Sequence, residues 1–278
     1  MNYLLSLRER NTGGAVVPGR LENGPGLGTA DELALERALT IIVHGYNVSG
    51  DKGRGALLRF AKLIAAADST GIIAVLWPGD HWSGALSYSW EGRDADDSAA
   101  ALVRFLGDHV QSSVPISFVA HSLGNRVALE AVERLVEQGY ETRQLCLLAG
   151  AVDTFCLASP QDYLEGVSAS GRAAVLWSKQ DKVLKYAYPA GDLLQAFLFF
   201  RDDTKGFALG YCGPKPHPQS GMPVPANVID VRIPDVRKAD HGDYLPSAEP
   251  NVPTNSEQKS TATFVKAVLA DDPQPVYI

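Results

Sequence analysis

The chain has 278 residues and a net charge of −7, and its lysines and arginines do not cluster, so we expect no nucleic-acid partner. Its three cysteines lack C-x-x-C or His-partnered spacing, so neither a metal site nor a disulfide framework is expected. No apolar run reaches 18 residues and the first residues carry too short an apolar stretch for a signal peptide, which predicts no transmembrane segment and a cytoplasmic location.

The predicted elements alternate along most of the chain. The glycine-rich segment 11–30 lacks the Gly-Lys-Ser/Thr of a phosphate loop and is interpreted as a surface loop. After it, apolar runs alternate with amphipathic stretches. The runs lie at 40–45, 72–79, 116–120, 144–153, 173–181 and 228–233, and the amphipathic stretches at 55–68, 98–110, 125–139 and 256–270. This pattern predicts an α/β fold with a mostly parallel central sheet and helices on both faces, as one domain over residues 1–278.

One long segment interrupts the alternation. Residues 189–227 contain the aromatic-rich GDLLQAFLFF and then the Pro/Gly-rich GYCGPKPHPQSGMPVP, which is not expected to form a regular element. We interpret the segment as an excursion over the carboxyl edge of the sheet, forming a lid or pocket wall, with a helix packed on the core as the alternative. Together with the loop at 80–93, it is expected to set the shape of any pocket.

A lone serine stands at the sharpest junction in the chain. Residues 116–132 read ISFVAHSLGNRVALEAV, in which a strand pattern passes directly into a helix pattern around Ser122. This arrangement is typical of a nucleophile elbow, G-x-S-x-G, which exposes the serine Oγ beside a helix N-terminus. Ala120 takes the place of the first glycine. The alternative is a serine that only caps the helix.

Further chemistry-bearing residues follow the other predicted strands. In a parallel sheet, the carboxyl ends of the strands meet at one edge, where ligand sites form. Ser122, Asp181 and His241 each follow a strand, in the order nucleophile, acid and base. A serine hydroxyl requires a base, and the base requires a carboxylate that holds its tautomer. Asp153 also follows a strand and is the alternative acid, although Asp181 is favoured by its polar turn.

The predicted oxyanion hole uses two backbone amides. An acyl-transfer intermediate needs two donors, which we expect from the N–H groups of Leu123 and Tyr46. Gly45 permits the close approach of the second loop. His44, just before it, is interpreted as structural, and His121 as a packing or locally hydrogen-bonded residue.

Two acidic residues have a simpler interpretation. Asp96 and Asp97 precede the amphipathic stretch at 98–110 and are expected to complement the dipole at the start of a helix.

Four sequence motifs together resemble the α/β-hydrolase family. They are HGYN at 44–47, WPG at 77–79, AHSLGNRV at 120–127 and the late pair Asp181 and His241. The resemblance spans roughly residues 38–245 and is closest to a mainly bacterial branch with the HGYN loop and the AHSLGNRV elbow. It implies hydrolysis of a small-molecule ester or a related acyl compound without an obligatory cofactor.

The leading functional hypothesis is a carboxylesterase or lipase-like enzyme that works through an acyl-Ser122 intermediate. An acyltransferase or thioesterase with the same three residues is the alternative within enzymes. A non-catalytic interaction module on the same fold is the alternative from another class.

Overall fold

The computed structural model describes residues 1–10, 12, 16–17, 19–45, 48–65, 70–79, 88–186 and 207–278, and for 88–92 only the backbone. A single eight-stranded sheet runs through these residues. Its strands are β1 (Asn2–Ser6), β2 (Arg20–Leu21), β3 (Leu39–Val43), β4 (Gly71–Leu76), β5 (Ile116–His121), β6 (Thr142–Leu148), β7 (Arg172–Trp177) and β8 (Val228–Arg232). Their spatial order is β2-β1-β4-β3-β5-β6-β7-β8. Only the pair β1 and β2 is antiparallel, so the predicted mostly parallel sheet is confirmed.

Helices cover both faces of the sheet. They are α1 (Ala30–Leu33), α2 (Gly50–Ile64), α3 (Tyr88–His109), α4 (Gly124–Glu137), α5 (Leu164–Ala169), α6 (Leu209–Cys212) and α7 (Ser256–Leu269). In the sheet, β4 lies on one side of β3, and the later strands β5 to β8 lie on the other side. Right-handed crossovers therefore place α2 on one face of the sheet and α3, α4 and α5 on the opposite face. The packing agrees, because α7 contacts α2, while α4 contacts α3 and α5.

The central strands are almost wholly buried and mostly apolar because both of their faces are covered. Every residue of β3 and of β4 is buried, and β6 is buried at every position except Arg143. Cys146 of β6 is one of these buried residues. Each fully buried Leu, Ile or Val contributes about 1.5–3 kcal/mol, so these strands supply much of the hydrophobic core.

The first strand was not predicted. β1 lies beside β4, and its residues Tyr3, Leu4 and Leu5 are fully buried. A five-residue apolar run with no helix after it carries no strand-helix alternation, which explains why the pattern missed it. β2, within the predicted surface loop at 11–30, pairs with the outer edge of β1. The organisation as one domain stays a prediction.

The third helix begins ten residues earlier than its amphipathic pattern predicts. Asp96 and Asp97 therefore lie inside α3, and the explanation that they complement a helix start is wrong. Asp96 instead accepts two hydrogen bonds of 2.9 Å from the guanidinium of Arg126 on α4. This bidentate pair joins two helices on the same face, a tertiary contact that the local sequence does not reveal.

The strand order places a crevice between β3 and β5. These strands are neighbours, but the chain leaves β3 towards α2 on one face and β5 towards α4 on the other. Such a topological switch point opens a crevice at the carboxyl ends of the two strands. The loops that begin at His44 and His121 meet there.

Candidate active site

Ser122 sits at the tip of the turn between β5 and α4. Its φ of 55° is in the left-handed region, where a non-glycine residue costs about 1–3 kcal/mol. The turn is packed against the backbone after β3, because a Cβ at Gly124 would lie 2.4 Å from the carbonyl oxygen of His44. Ala120, which replaces the usual glycine, is buried in β5. The predicted elbow geometry is therefore present in the backbone.

Asn125 holds this turn in place. Its buried side-chain amide lies 2.8 Å from the carbonyl oxygen of Ser122, 3.1 Å from that of Leu148 and 3.3 Å from that of Ala120. The two N–H groups of this amide, shared among three carbonyl oxygens, tie the elbow to the end of β6 and offset its strained backbone. Asn125 stands within the AHSLGNRV motif, but the sequence analysis assigned it no role. The signal that could have identified Asn125 is a polar side chain directly after Gly124, at a position where the helix begins.

The tight contact at Gly124 leads to a stability prediction. We expect Gly124→Ala to destabilise the protein by about 1–3 kcal/mol, because the new methyl group meets backbone rather than a mobile side chain. Gly107→Ala is the matched control, since that helical position opens onto free space and alanine favours a helix by about 1 kcal/mol. Urea unfolding measures both variants, and a Gly124→Ala variant as stable as Gly107→Ala would contradict the packing described here.

His241 brings the serine and the acid together. Its Nε2 lies 2.8 Å from the Oγ of Ser122, and its Nδ1 lies 2.7 Å from Oδ2 of Asp181. Since a carboxylate only accepts, Nδ1 carries the proton and Nε2 is left to accept from the serine hydroxyl. The three residues thus form a continuous hydrogen-bond chain from three separate loops. This tautomer leaves Nε2 able to remove the proton of Ser122.

The carboxylate of Asp181 is enclosed but fully satisfied. Its side chain is 0% exposed, whereas that of His241 is 16% exposed. One carboxylate oxygen accepts from the histidine, and the other accepts from the backbone N–H of Leu184 at 2.9 Å. A buried carboxylate without such partners would cost several kcal/mol. Asp181 can therefore hold the imidazole ring in one orientation.

The loops that carry the acid and the histidine are also joined to each other. Asp240 accepts from the backbone N–H of His241 at 2.9 Å and from that of Lys182 at 3.0 Å. Ser178 donates its hydroxyl to the carbonyl of Ala239 at 2.8 Å. Burial acts to raise the pKa of Asp240, but the hydrogen bonds from the Lys182 and His241 amides hold that pKa below its ordinary value.

Asp240 yields a prediction about pH. Its lowered native pKa means that the charged form stabilises the fold above the ordinary value near 3.9, a contribution lost as the pH falls through the native pKa. Asp240→Asn keeps an acceptor, so at pH 7 it should lower the free energy of unfolding by less than about 1 kcal/mol. Urea unfolding of parent and variant across pH 2.5–7, in steps of roughly half a pH unit, checks this prediction. A difference from the parent that grows towards low pH would contradict it.

The predicted oxyanion donors are described in part. Leu123 lies in the elbow directly after Ser122, and its N–H donates to no backbone acceptor among the described residues. Tyr46 and Asn47 lie outside the described residues, so the second donor stays a prediction. Gly45 does lie against the elbow, because a Cβ there would be 2.7 Å from the Cβ of Ser122.

His44 has the structural surroundings that the sequence analysis expected. Its Nδ1 donates to the carbonyl of Gly45 at 2.7 Å, and its Nε2 accepts from the N–H of Trp77 at 3.3 Å. The indole N–H of Trp77 donates in turn to the carbonyl of His44 at 2.8 Å. This reciprocal pair joins the ends of β3 and β4 beneath Gly45.

The alternative acid lies in a different setting. Asp153 forms an isolated β-bridge with Ala208, in the segment that precedes α6, while the contact to His241 comes from Asp181. The aromatic part of the predicted lid and residues 80–87 of the predicted loop at 80–93 fall outside the described residues, while residues 88–93 of that loop belong to α3 instead. Of the predicted excursion, residues 207–227 are described, and they begin with α6.

The described residues hold neither a metal-binding cluster nor a membrane-spanning helix. No group of three or more His, Cys, Asp or Glu side chains in those ranges is placed to bind a metal ion. No helix in the described part of the chain is both long enough and apolar enough to cross a membrane.

The sheet order, the left-handed elbow and the hydrogen-bond chain define the class of protein as an α/β-hydrolase. The family model described as "Alpha/beta hydrolase of unknown function (DUF900)" matches residues 31–191, more than half of the sequence, so the chain belongs to that family. The resemblance inferred from the motifs is confirmed at this level. No curated protein sequence matches the chain.

The chain also matches solved structures, at low sequence identity and with TM-scores below 0.5. A type II thioesterase from the yersiniabactin biosynthetic pathway is 13% identical with a TM-score of 0.42, over 84% of this chain and 93% of that one. A metagenomic carboxyl esterase is 14% identical with a TM-score of 0.41, over 95% and 83%. A hyperthermophilic esterase from the archaeon Pyrobaculum calidifontis is 16% identical with a TM-score of 0.40, over 84% and 76%.

Proposed function

We propose that this chain is a serine hydrolase that cleaves carboxylic esters of small molecules through an acyl-serine intermediate. The observation that carries the proposal is the hydrogen-bond chain from Ser122 through His241 to Asp181. A serine that only capped a helix would need neither a base at 2.8 Å nor a buried carboxylate behind that base. Membership of an α/β-hydrolase family supports the same reaction class.

The first half of the proposed reaction forms the acyl-enzyme. The Oγ of Ser122 attacks the ester carbonyl while Nε2 of His241 takes the hydroxyl proton, and Asp181 stabilises the resulting imidazolium. The carbonyl oxygen becomes an oxyanion that accepts from the N–H of Leu123, at the N-terminus of α4, where the helix dipole favours negative charge. We assign the second donor to the N–H of Tyr46. The intermediate collapses, and the alkoxide leaves with the proton from His241.

The second half returns the enzyme to its starting state. His241 removes a proton from water, the hydroxide attacks the acyl carbon, and the same amides hold the second oxyanion. Collapse breaks the bond to Ser122, whose oxygen regains a proton from His241, and a carboxylic acid is released. Each step uses only groups of this chain and water.

A panel of p-nitrophenyl esters of increasing acyl length tests this proposal. We expect release of p-nitrophenol from at least the short-chain esters, since attack on an activated ester makes the fewest demands on pocket shape. A preference for short chains would indicate an esterase, and a preference for long chains a lipase. Adding an alcohol or thiol acceptor separates hydrolysis from acyl transfer by the product formed. A folded protein without turnover of any ester in the panel would favour a non-catalytic module.

The lid, the cytoplasmic location and the absence of a nucleic-acid partner stay predictions. For the lid, polar substitutions at Phe199 and Phe200 should alter acyl-length preference. A loss of stability with unchanged preference would mean instead that these residues belong to the core.

A further inference from the structure

His121, the residue before the nucleophile, contacts the loop that carries the base. Its imidazole ring lies beside the rings of His241 and Tyr244, with centroid distances of 4.9 Å and 5.7 Å. Its Nε2 is 3.1 Å from the main-chain carbonyl oxygen of His241. Because a carbonyl oxygen only accepts, Nε2 of His121 must carry the proton and donate it.

This contact closes a ring through the proposed site. The ring runs from Nε2 of His121 to the carbonyl of His241, from the His241 imidazole to Ser122 Oγ, and back through the peptide bond between His121 and Ser122. Asp181 is outside the ring, so it acts on the imidazole from a separate direction. The main chain of the base is therefore tied, through the His121 side chain, to the residue that precedes the nucleophile.

The surroundings of His121 keep it neutral. Burial lowers the pKa of His121 well below its ordinary value, and the rings of His241 and His44 act in the same direction, which outweighs the opposite effect of the hydrogen bond to the His241 carbonyl. Tyr244, on its other side, is buried and has its own pKa raised, chiefly by burial, so it adds no charge at neutral pH. A neutral His121 adds no repulsion when His241 becomes positively charged.

We propose that His121 is a positioning residue, whose ring N–H fixes the main chain of His241 and so sets the distance from the imidazole to Ser122. This inference rests on the proposed serine-hydrolase function and goes beyond it, because it assigns a role in turnover to a residue that touches neither substrate nor reacting atoms. The competing explanation is that His121 only fills space between His241 and Tyr244. The two explanations differ in whether a donor at the Nε2 position matters.

Substitutions of His121 that retain, displace or remove the hydrogen-bond donor while keeping most of the side-chain volume test the proposal. His121→Gln places an amide N–H near the position of Nε2, His121→Asn carries the same group one methylene short, and His121→Phe keeps a ring without a donor. We expect His121→Phe and His121→Asn to lower kcat on p-nitrophenyl acetate by about 10–100-fold with little change in KM, as when a supporting residue lets a reacting group move. His121→Gln should recover most of that loss.

A second readout keeps this test separate from the proposed function. The rate of labelling by a fluorophosphonate should fall in parallel with kcat in His121→Phe and His121→Asn, and recover in His121→Gln. If the active parent is matched by His121→Asn in both rates, or if Gln and Asn lose activity equally, the positioning role is wrong. The Gln and Asn pair decides this even if His121→Phe does not fold. A parent that neither turns over ester nor reacts with the probe would refute the proposed function itself.

Discussion

Replacing Ser122 by alanine is expected to remove ester turnover almost completely, with a fall in kcat of about 10⁶-fold, as when a serine hydrolase loses its nucleophile. The physical reason is that no other described hydroxyl lies at hydrogen-bond distance from Nε2 of His241. The fold should survive, because alanine removes one oxygen atom from a turn that Asn125 and Gly124 hold through backbone contacts. Steady-state kinetics and thermal denaturation measure the two effects.

Ser98→Ala is the matched control for this substitution. Ser98 is also a buried serine, its hydroxyl has no hydrogen-bond partner in the described part of the chain, and it belongs to α3 rather than to the elbow. Its replacement should leave kcat unchanged. A Ser122→Ala variant that retains about a tenth or more of the parent kcat would mean that another residue is the nucleophile.

Replacing Asp181 by asparagine is expected to lower kcat by about 10⁴-fold with a small change in KM. Asparagine keeps the size of the side chain, but its amide group can donate to Nδ1 of His241. That contact favours the tautomer with the proton on Nε2, which can no longer accept from Ser122. Kinetics on p-nitrophenyl acetate at pH 7–8 gives the result.

Asp153→Asn provides the comparison, because both aspartates follow strands of the sheet and either could reach a histidine in this fold. We expect Asp153→Asn to keep most of the activity, since the described contact to His241 comes from Asp181. The opposite ranking, in two variants that melt near the parent, would assign the acid to Asp153. The hydrogen-bond chain described above would then not be the working one.

The sequence alone was sufficient to predict the parts of the site where a motif lies at the end of a recognisable strand or helix. Ser122 was predicted at a strand-helix junction, because strands covered on both faces are apolar enough to be recognised in the sequence. The elbow and the order of nucleophile, acid and base therefore followed from the alternation of strands and helices. The order along the chain also restricted the acid to two aspartates. Its polar turn favoured Asp181 over Asp153, and the described contact to His241 comes from Asp181.

Contacts between distant segments were beyond the sequence. The link from His121 to the His241 carbonyl spans 120 positions, and the Asp96–Arg126 pair joins two helices whose local patterns give no sign of it. The pairing of β1 with β4, some seventy positions later, is a third contact of this kind. Such contacts depend on how the sheet is ordered, which alternation alone does not determine.

The most direct test of the proposed function is to identify the residue that a fluorophosphonate modifies. An activated serine should attack the phosphorus atom as it attacks an ester carbonyl, giving one covalent adduct per chain. Digestion and mass spectrometry of the labelled protein should place that adduct on Ser122, and Ser122→Ala should remain unlabelled. A folded parent that takes up no probe, or an adduct found on another residue, would contradict the proposal that Ser122 is the nucleophile.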